Sequence, residues 1–219
     1  METTQQNVPD INEMYVVHRV FRREFAALPT LIRRVGEGDT RRAAVVAEHL
    51  RLIVNGLHLH HTGEDEVLWP LLLQRAAPSR ELVETMQAQH ARVDEHSSAV
   101  EPLRQAWCRS ASTVRGEQLA RAVEHFTEAL FEHLELEERE ILPLVLRHIT
   151  VAEWQSLADH GRGEMPARQL PLMFGALLEE TDDDERARMF ANLPLPVRWA
   201  MKGFGERQYR RYISRVRAA

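Results

Sequence analysis

The 219-residue sequence has little of several features that would assign it to a familiar class of protein. It contains a single cysteine, Cys108, which excludes an internal disulfide framework and fits a reducing compartment. Aromatic residues make up only 6% of the chain, and no apolar run is long enough to span a bilayer. The net charge is −5, so there is no positive excess for binding a polyanion. Disulfide-stapled, transmembrane and polyanion-binding proteins are therefore excluded.

The amino terminus and the composition narrow the class further. Residues 1–10 are polar and lack the apolar stretch and cleavage site of a signal peptide, so we expect a cytoplasmic protein without a membrane partner. Charged residues make up 28% of the chain, and Leu, Ala, Glu and Arg are abundant, which favours helices over disorder. A chain of this length can bury one sizeable core, with at most a small addition.

One short motif occurs twice in the sequence. His60-x-x-x-Glu64 is followed by an acidic residue and then, six positions after the glutamate, by Pro70. His133-x-x-x-Glu137 has the same continuation and lies 73 residues later. In a helix, residues four apart lie on one face, so each pair can direct an imidazole and a carboxylate at one point.

A lone histidine precedes each copy of the motif at a matching distance. His18 lies 42 residues before His60, and His90 lies 43 residues before His133. The chain thus contains two half-units that together supply four imidazoles and two carboxylates. Such a set suits a pair of first-row transition metals, with the glutamates able to bridge them.

Apolar residues at helical spacing predict four long amphipathic helices in residues 10–150. Asp10 and Ser79 are expected to cap the first and third helices, and the second is expected to span residues 40–74. Each predicted apolar stripe contains a lone histidine or a His/Glu pair near its middle. Short connections predict an all-α fold, an antiparallel up-down-up-down four-helix bundle.

Residues 151–219 have a different pattern and predict a helical extension packed on the bundle. Thr150 and Glu153 form a capping box, and the helix that follows is expected to break at residues 160–163. Further helices are predicted over residues 166–180, 182–192 and 197–217. The last of these is basic, which we interpret as a solvated charged face, since no motif for reading nucleic-acid bases accompanies it.

The six repeated polar residues have an ordinary interpretation and a functional one. A lone histidine on an apolar helix face, such as His18 or His90, is more often a hydrogen-bonded core residue than a metal ligand. A single His-x-x-x-Glu is usually a solvated pair. Six such groups meeting at mid-bundle would be costly to bury without a bound cation. We therefore predict a metal site formed by His18, His60, Glu64, His90, His133 and Glu137.

The types of donor indicate which metal would bind. The histidines exclude the all-oxygen sites of magnesium or calcium, and the lack of thiolates argues against a closed structural zinc site. Four nitrogens and two bridging carboxylates divide into two equal sets and leave positions for an oxo or hydroxo bridge and an external ligand. Two iron ions fit best, and manganese fits second best.

These motifs resemble those of the hemerythrin-like, or HHE cation-binding, proteins. The resemblance covers about residues 10–150 and includes the Leu-Trp-Pro and Ile-Leu-Pro ends of the repeats. It implies a non-haem diiron centre in a four-helix bundle, with Glu64 and Glu137 bridging the irons. It also implies that His18 and His60 bind mainly one iron, and His90 and His133 the other.

The sequence departs from the oxygen-carrying hemerythrins at two positions. Asp94 stands where those proteins have a fifth histidine, and Glu137 lies four residues after its histidine, where they have an aspartate five residues after. The resemblance therefore favours a centre that binds or reacts with O2, peroxide or NO, as a sensor, scavenger or carrier. Alternatives are a peroxide-decomposing or oxidase-type diiron enzyme, an iron-storage protein and a metal-free helical interaction module.

Three residues beside the motif have less definite roles. We expect His61 to lie behind the ligands or on the surface, because the second copy has Leu134 at the matching position. Tyr15, one turn before His18, is expected to pack in the core, although it could reach the centre as a hydrogen-bond donor or redox residue. Trp69 is expected to pack at the end of the bundle.

Overall fold

In the computed structural model, residues 8–76 and 79–218 are described, and all regular elements among them are helical. The α-helices in chain order are α1 (Asn12–Arg33), α2 (Thr40–Gly63), α3 (Trp69–Arg75), α4 (Arg80–Ser110), α5 (Thr113–Leu136), α6 (Leu142–His148), α7 (Val151–Glu164), α8 (Leu170–Glu180), α9 (Asp183–Ala191), α10 (Leu195–Ala200) and α11 (Glu206–Arg217). Within these described ranges, no helix combines the length and apolarity needed to cross a membrane.

The long helices α1, α2, α4 and α5 enclose the main core. Helix α1 packs against α5 and α2, and α4 packs against the same two helices. The stripes expected from the sequence face inward, and at the centre Phe25 meets Phe126 edge to face with ring centroids 4.8 Å apart. Burial of these apolar faces holds the helices together, since each fully buried Leu or Phe contributes about 1.5–3 kcal/mol.

Several predicted helix ends differ from the structure. Helix α1 begins at Asn12, and the Asp10 carboxylate accepts hydrogen bonds from the backbone and side chain of that residue. Ser79 precedes α4 but makes no side-chain capping bond. Helix α7 continues through the predicted break at residues 160–163, because a helical glycine costs only about 1 kcal/mol. The Thr150–Glu153 capping box is confirmed.

A π-helical turn follows each His-x-x-x-Glu motif. Glu64–Leu68 joins α2 to α3, and Glu137–Ile141 joins α5 to α6, so the predicted second helix continues through the turn to Arg75. Pro70 and Pro143 lie just beyond these turns. A helical proline clashes with the carbonyl four residues before it, and the wider π turn relieves that clash. Both turns begin at the glutamate of the motif.

The carboxyl-terminal helices pack on one side of the long helices. Helices α7 and α11 contact α2, and α8 contacts both α1 and α11. A buried ionic cluster fixes α11 to this side, because Arg217 and Tyr212 reach Glu24 and His49 on α1 and α2.

Candidate metal centre

The six predicted ligands lie together in the interior. His18 comes from α1, His60 from α2, His90 from α4 and His133 from α5, while Glu64 and Glu137 begin the π turns that follow α2 and α5. Five of the six are at most 2% exposed. His60 differs, because 12% of its side chain is exposed.

The donor atoms form two adjacent groups, each with its ligand atoms within 4.8 Å of one another. One group contains His18, His60 and Glu137, and the other contains His61, Glu64, His90 and His133. The Nε2 atoms of His18 and His60 lie 3.3 Å apart. Nitrogen donors from separate helices therefore point into one small space.

Each glutamate faces histidines of both groups. One Glu64 oxygen lies 3.4 Å from His60 Nε2, and its other oxygen lies 3.3 Å from His90 Nε2. Glu137 Oε2 lies 3.4 Å from His18 Nε2 and 3.6 Å from His133 Nε2. Carboxylates placed between two sets of imidazoles have the position that a bridge between two metal ions requires.

A second acid behind each glutamate orients a lone histidine. Glu138 accepts a hydrogen bond from His18 Nδ1 at 2.8 Å and is itself held by Arg22. Asp65 accepts one from His90 Nδ1 at 2.9 Å. An ionised carboxylate can only accept, so Nδ1 carries the proton in a neutral ring and the Nε2 lone pair faces the cluster. The acid that follows the glutamate in both motif copies therefore orients a ring nitrogen that could bind a metal.

The buried donors lack protein partners of their own. Among the described residues, no hydrogen-bond partner is present for either carboxylate oxygen of Glu64 or Glu137, for Nε2 of His90 or His133, or for either ring nitrogen of His61. Burying so many unsatisfied polar atoms would cost about 1–3 kcal/mol for each of them. A cation bound among them would remove this cost, and nitrogen and oxygen donors suit a first-row transition metal.

The ionisation of these groups is strongly perturbed in opposite directions. Burial lowers the pKa of His60 and His133 to about 3. Burial also opposes the charged form of His18 and His90, but adjacent carboxylates outweigh it and raise their pKa to about 9 and about 10. Burial, together with the nearby Glu137 charge, raises the pKa of Glu64 to about 8.

For Glu137 burial is again opposed, here chiefly by the charge of the adjacent His18, and the pKa falls below its usual range. Such divergent shifts within one cluster are typical of functional sites.

His61 is the residue that the sequence interpretation underestimated. It is 2% exposed, so the surface alternative is wrong, and its ring stacks on His90 with centroids 4.0 Å apart. Comparison of the two motif copies did not reveal His61 as a possible ligand, because Leu134 occupies the matching position in the second copy. The available signal was its spacing: His61 lies three residues before Glu64, which places both on one helix face.

The other residues near the motif lie outside the cluster of donors. Asp94 is exposed and lies 3.9 Å from His58 Nδ1 on the surface. Tyr15 is partly buried and packs against the apolar cluster that contains Trp69, as core packing predicts. Trp69 is fully buried in that cluster, with its ring 5.6 Å from that of His90.

Comparison with known proteins agrees with this geometry. The family model described as the hemerythrin HHE cation binding domain matches residues 10–145, the span that contains every residue of the cluster. Searches of curated proteins and of solved structures found no match. The family match covers more than half of the chain, and the chain belongs to the hemerythrin HHE cation-binding domain family.

Proposed function

We propose that the protein holds two iron ions and that this centre binds or reacts with O2, peroxide or NO. The main observation in support of the proposal is that buried imidazole and carboxylate atoms of the cluster have no hydrogen-bond partner in the described part of the chain. We further propose that residues 1–150 form an antiparallel up-down-up-down four-helix bundle around the centre. Residues 151–219 are then an accessory helical extension.

In this proposal the ligands divide between the two ions. His18 and His60 bind one ion, His90 and His133 bind the other, and Glu64 and Glu137 bridge them. The grouping of donor atoms and the position of each glutamate between imidazoles of both groups support this division. Asp94, at the position of the fifth histidine of oxygen-carrying hemerythrins, lies on the surface. His61 instead offers a fifth imidazole on the side of His90.

The nature of the donors supports iron over other metals. Imidazole and carboxylate together suit iron and, second, manganese, whereas the described part of the cluster contains no thiolate. Two iron ions supply reversible electron transfer to a small oxygen or nitrogen species. Asp65 and Glu138 would hold the His90 and His18 rings in place while the charge of the centre changes.

The metal content of freshly purified protein tests the proposal directly. We expect two irons per chain by mass spectrometry, and an absorption band in the near-ultraviolet in air that changes when NO or peroxide is added. One zinc per chain, little metal or a colourless iron-loaded protein would contradict the proposal.

A pair of variants on one helix controls for indirect effects on metal content. His133→Ala is expected to lose metal, and His125→Ala, whose side chain is 70% exposed on the same α5, is expected to keep it. Equal metal content in the two variants would argue against His133 as a ligand.

A further inference from the structure

A cavity of about 340 Å³ lies between the long helices and the carboxyl-terminal helices. Helices α1 and α2 form one wall, and α7 to α10 contribute the other. Five of the seven methionines of the chain line it, namely Met14, Met165, Met173, Met189 and Met201. Its size falls in the range of small-molecule sites, about 300–1,000 Å³. Methionine is flexible and polarizable, so such a wall can adapt to an apolar occupant.

The cavity reaches the candidate metal centre at His60. His60 lines it together with Gly56 and Phe21, and the Phe21 ring lies 5.5 Å from the His60 ring. His60 is also the one predicted ligand that is not almost completely buried. An occupant of the cavity would therefore have one end beside the metal-binding cluster.

The polar residues of the wall indicate the charge of the occupant. Asn192 donates a hydrogen bond to Glu13, and Arg162 pairs with Asp159, so these groups already have protein partners. The rest of the wall is largely apolar. Most of the wall offers a charged ligand nothing to replace its lost hydration, whereas an apolar ligand would gain from burial.

We propose that this cavity binds an uncharged, mainly hydrocarbon small molecule with one end at His60. Binding depends on the apolar wall and requires no metal. Only the consequence, that the occupant lies within reach of the iron centre, rests on the proposed function. The carboxyl-terminal helices then complete a binding site that the long helices alone do not form.

Titration with N-phenyl-1-naphthylamine, an uncharged dye that fluoresces in apolar surroundings, tests the proposal on the full-length protein. We expect saturable binding of one dye per chain, both in chelator-treated and in iron-containing protein. Absence of saturable binding in both preparations would overturn the proposal. If the freshly purified protein contains no iron and still binds the dye, the result supports the cavity and contradicts only the proposed function.

Two glycines of α7 provide matched variants. An added Cβ atom meets no other atom within 4 Å at Gly161 or Gly163, but only Gly161 is among the residues lining the cavity. Gly161→Phe is expected to weaken dye binding by about tenfold or more, and Gly163→Phe to leave it unchanged. Equal affinities would overturn the location.

A second pair on the same helix covers the case in which Gly161→Phe fails to fold. Ala158→Phe adds a side chain to the cavity wall, and Ala152→Phe adds one at an exposed position.

Quenching of the dye tests whether one end of the occupant lies beside His60. Fluorescence of the bound dye should be quenched in protein whose iron content has been measured. Unquenched fluorescence would overturn the placement beside His60.

Discussion

The described residues include two buried clusters of histidine and glutamate. In one, which we call the closed cluster, the histidine and glutamate side chains are fully hydrogen-bonded, whereas in the candidate metal centre many of the polar atoms have no partner. In the first, His49 Nε2 donates to Glu24 at 3.1 Å, and His49 Nδ1 accepts from the Tyr212 hydroxyl at 2.9 Å. Arg23 and Arg217 occupy the other Glu24 oxygen. In the candidate metal centre, the described residues provide no hydrogen-bond partner for the Glu64 and Glu137 carboxylates or for Nε2 of His90 and His133.

The two clusters also differ in how the negative charge is balanced. The Glu24 carboxylate has two guanidinium partners. Among the described residues, Glu64 and Glu137 form ion pairs only with histidines, which are charged only when protonated. A buried His/Glu cluster therefore does not by itself indicate a metal. A metal site is indicated where buried polar atoms also lack hydrogen-bond partners and the carboxylates lack a permanently charged partner.

The largest effect is expected from removing one of the two glutamates that we propose to bridge the ions. Glu64→Ala or Glu137→Ala is expected to reduce the metal content from two ions per chain to about none, because each glutamate faces both groups of imidazoles. Glu24→Gln should retain both ions. Elemental analysis after identical purification measures this, and a Glu64→Ala protein with two irons would refute the bridging role.

Removing the charge of the closed cluster should instead destabilise the fold. Glu24→Gln is expected to lower the free energy of unfolding by about 3–5 kcal/mol, because it leaves the buried His49 and the partly buried Arg23 without this carboxylate. Urea denaturation of metal-free protein measures the loss. Glu132→Gln, at a side chain that is 58% exposed, should change stability by less than about 0.5 kcal/mol.

Acid should weaken the closed cluster in a defined pH range. Burial would raise the pKa of Glu24, but His49 and Arg23 outweigh it and lower the pKa from 4.5 to about 2. The stabilisation is therefore complete above pH 4.5 and is lost as the pH falls towards 2, a loss of about 3 kcal/mol. Unfolding of metal-free protein across this range measures it, and Glu24→Gln should lack this component.

Changing the acids behind the ligands should have a smaller effect on the centre. Asp65→Asn and Glu138→Gln are each expected to weaken metal binding by about 10–100-fold, since each orients a histidine through Nδ1. The larger loss is expected for Glu138, which is less exposed and also held by Arg22. Competition with a chelator measures affinity. Glu66→Gln, at an exposed side chain, is the control.

The smallest effect is expected for His61→Leu, which installs the residue of the second copy. Metal content should stay at two ions per chain, because the other six donors remain. The absorption spectrum of the iron-loaded protein should shift as one imidazole is lost. An unchanged spectrum would show that His61 stacks on His90 without binding metal.

The positions of the six donors could be predicted because they depend on local geometry. A four-residue spacing fixes a helix face, and the repeated pattern shows which faces belong together. His61 was missed because repetition carries no information about a residue present in one copy only. The cavity at His60 could not be predicted, because it arises where residues 151–219 pack against α1 and α2, and no local pattern encodes that contact.

The two π turns that follow the His-x-x-x-Glu motifs change the register of the chain. Each π turn accommodates one residue more than an α-helical turn, so everything after it is rotated by about 100° relative to an unbroken α-helix. Upstream, Glu64 faces the candidate metal centre; downstream, Trp69 and Leu72 pack in one buried apolar cluster. A chain shortened by one residue at Glu66 would replace the π turn with an α-helical turn, which would bring back the clash of Pro70 and turn those two side chains away from the core. The inserted residue thus lets one helix direct ligands and apolar side chains to the same interior.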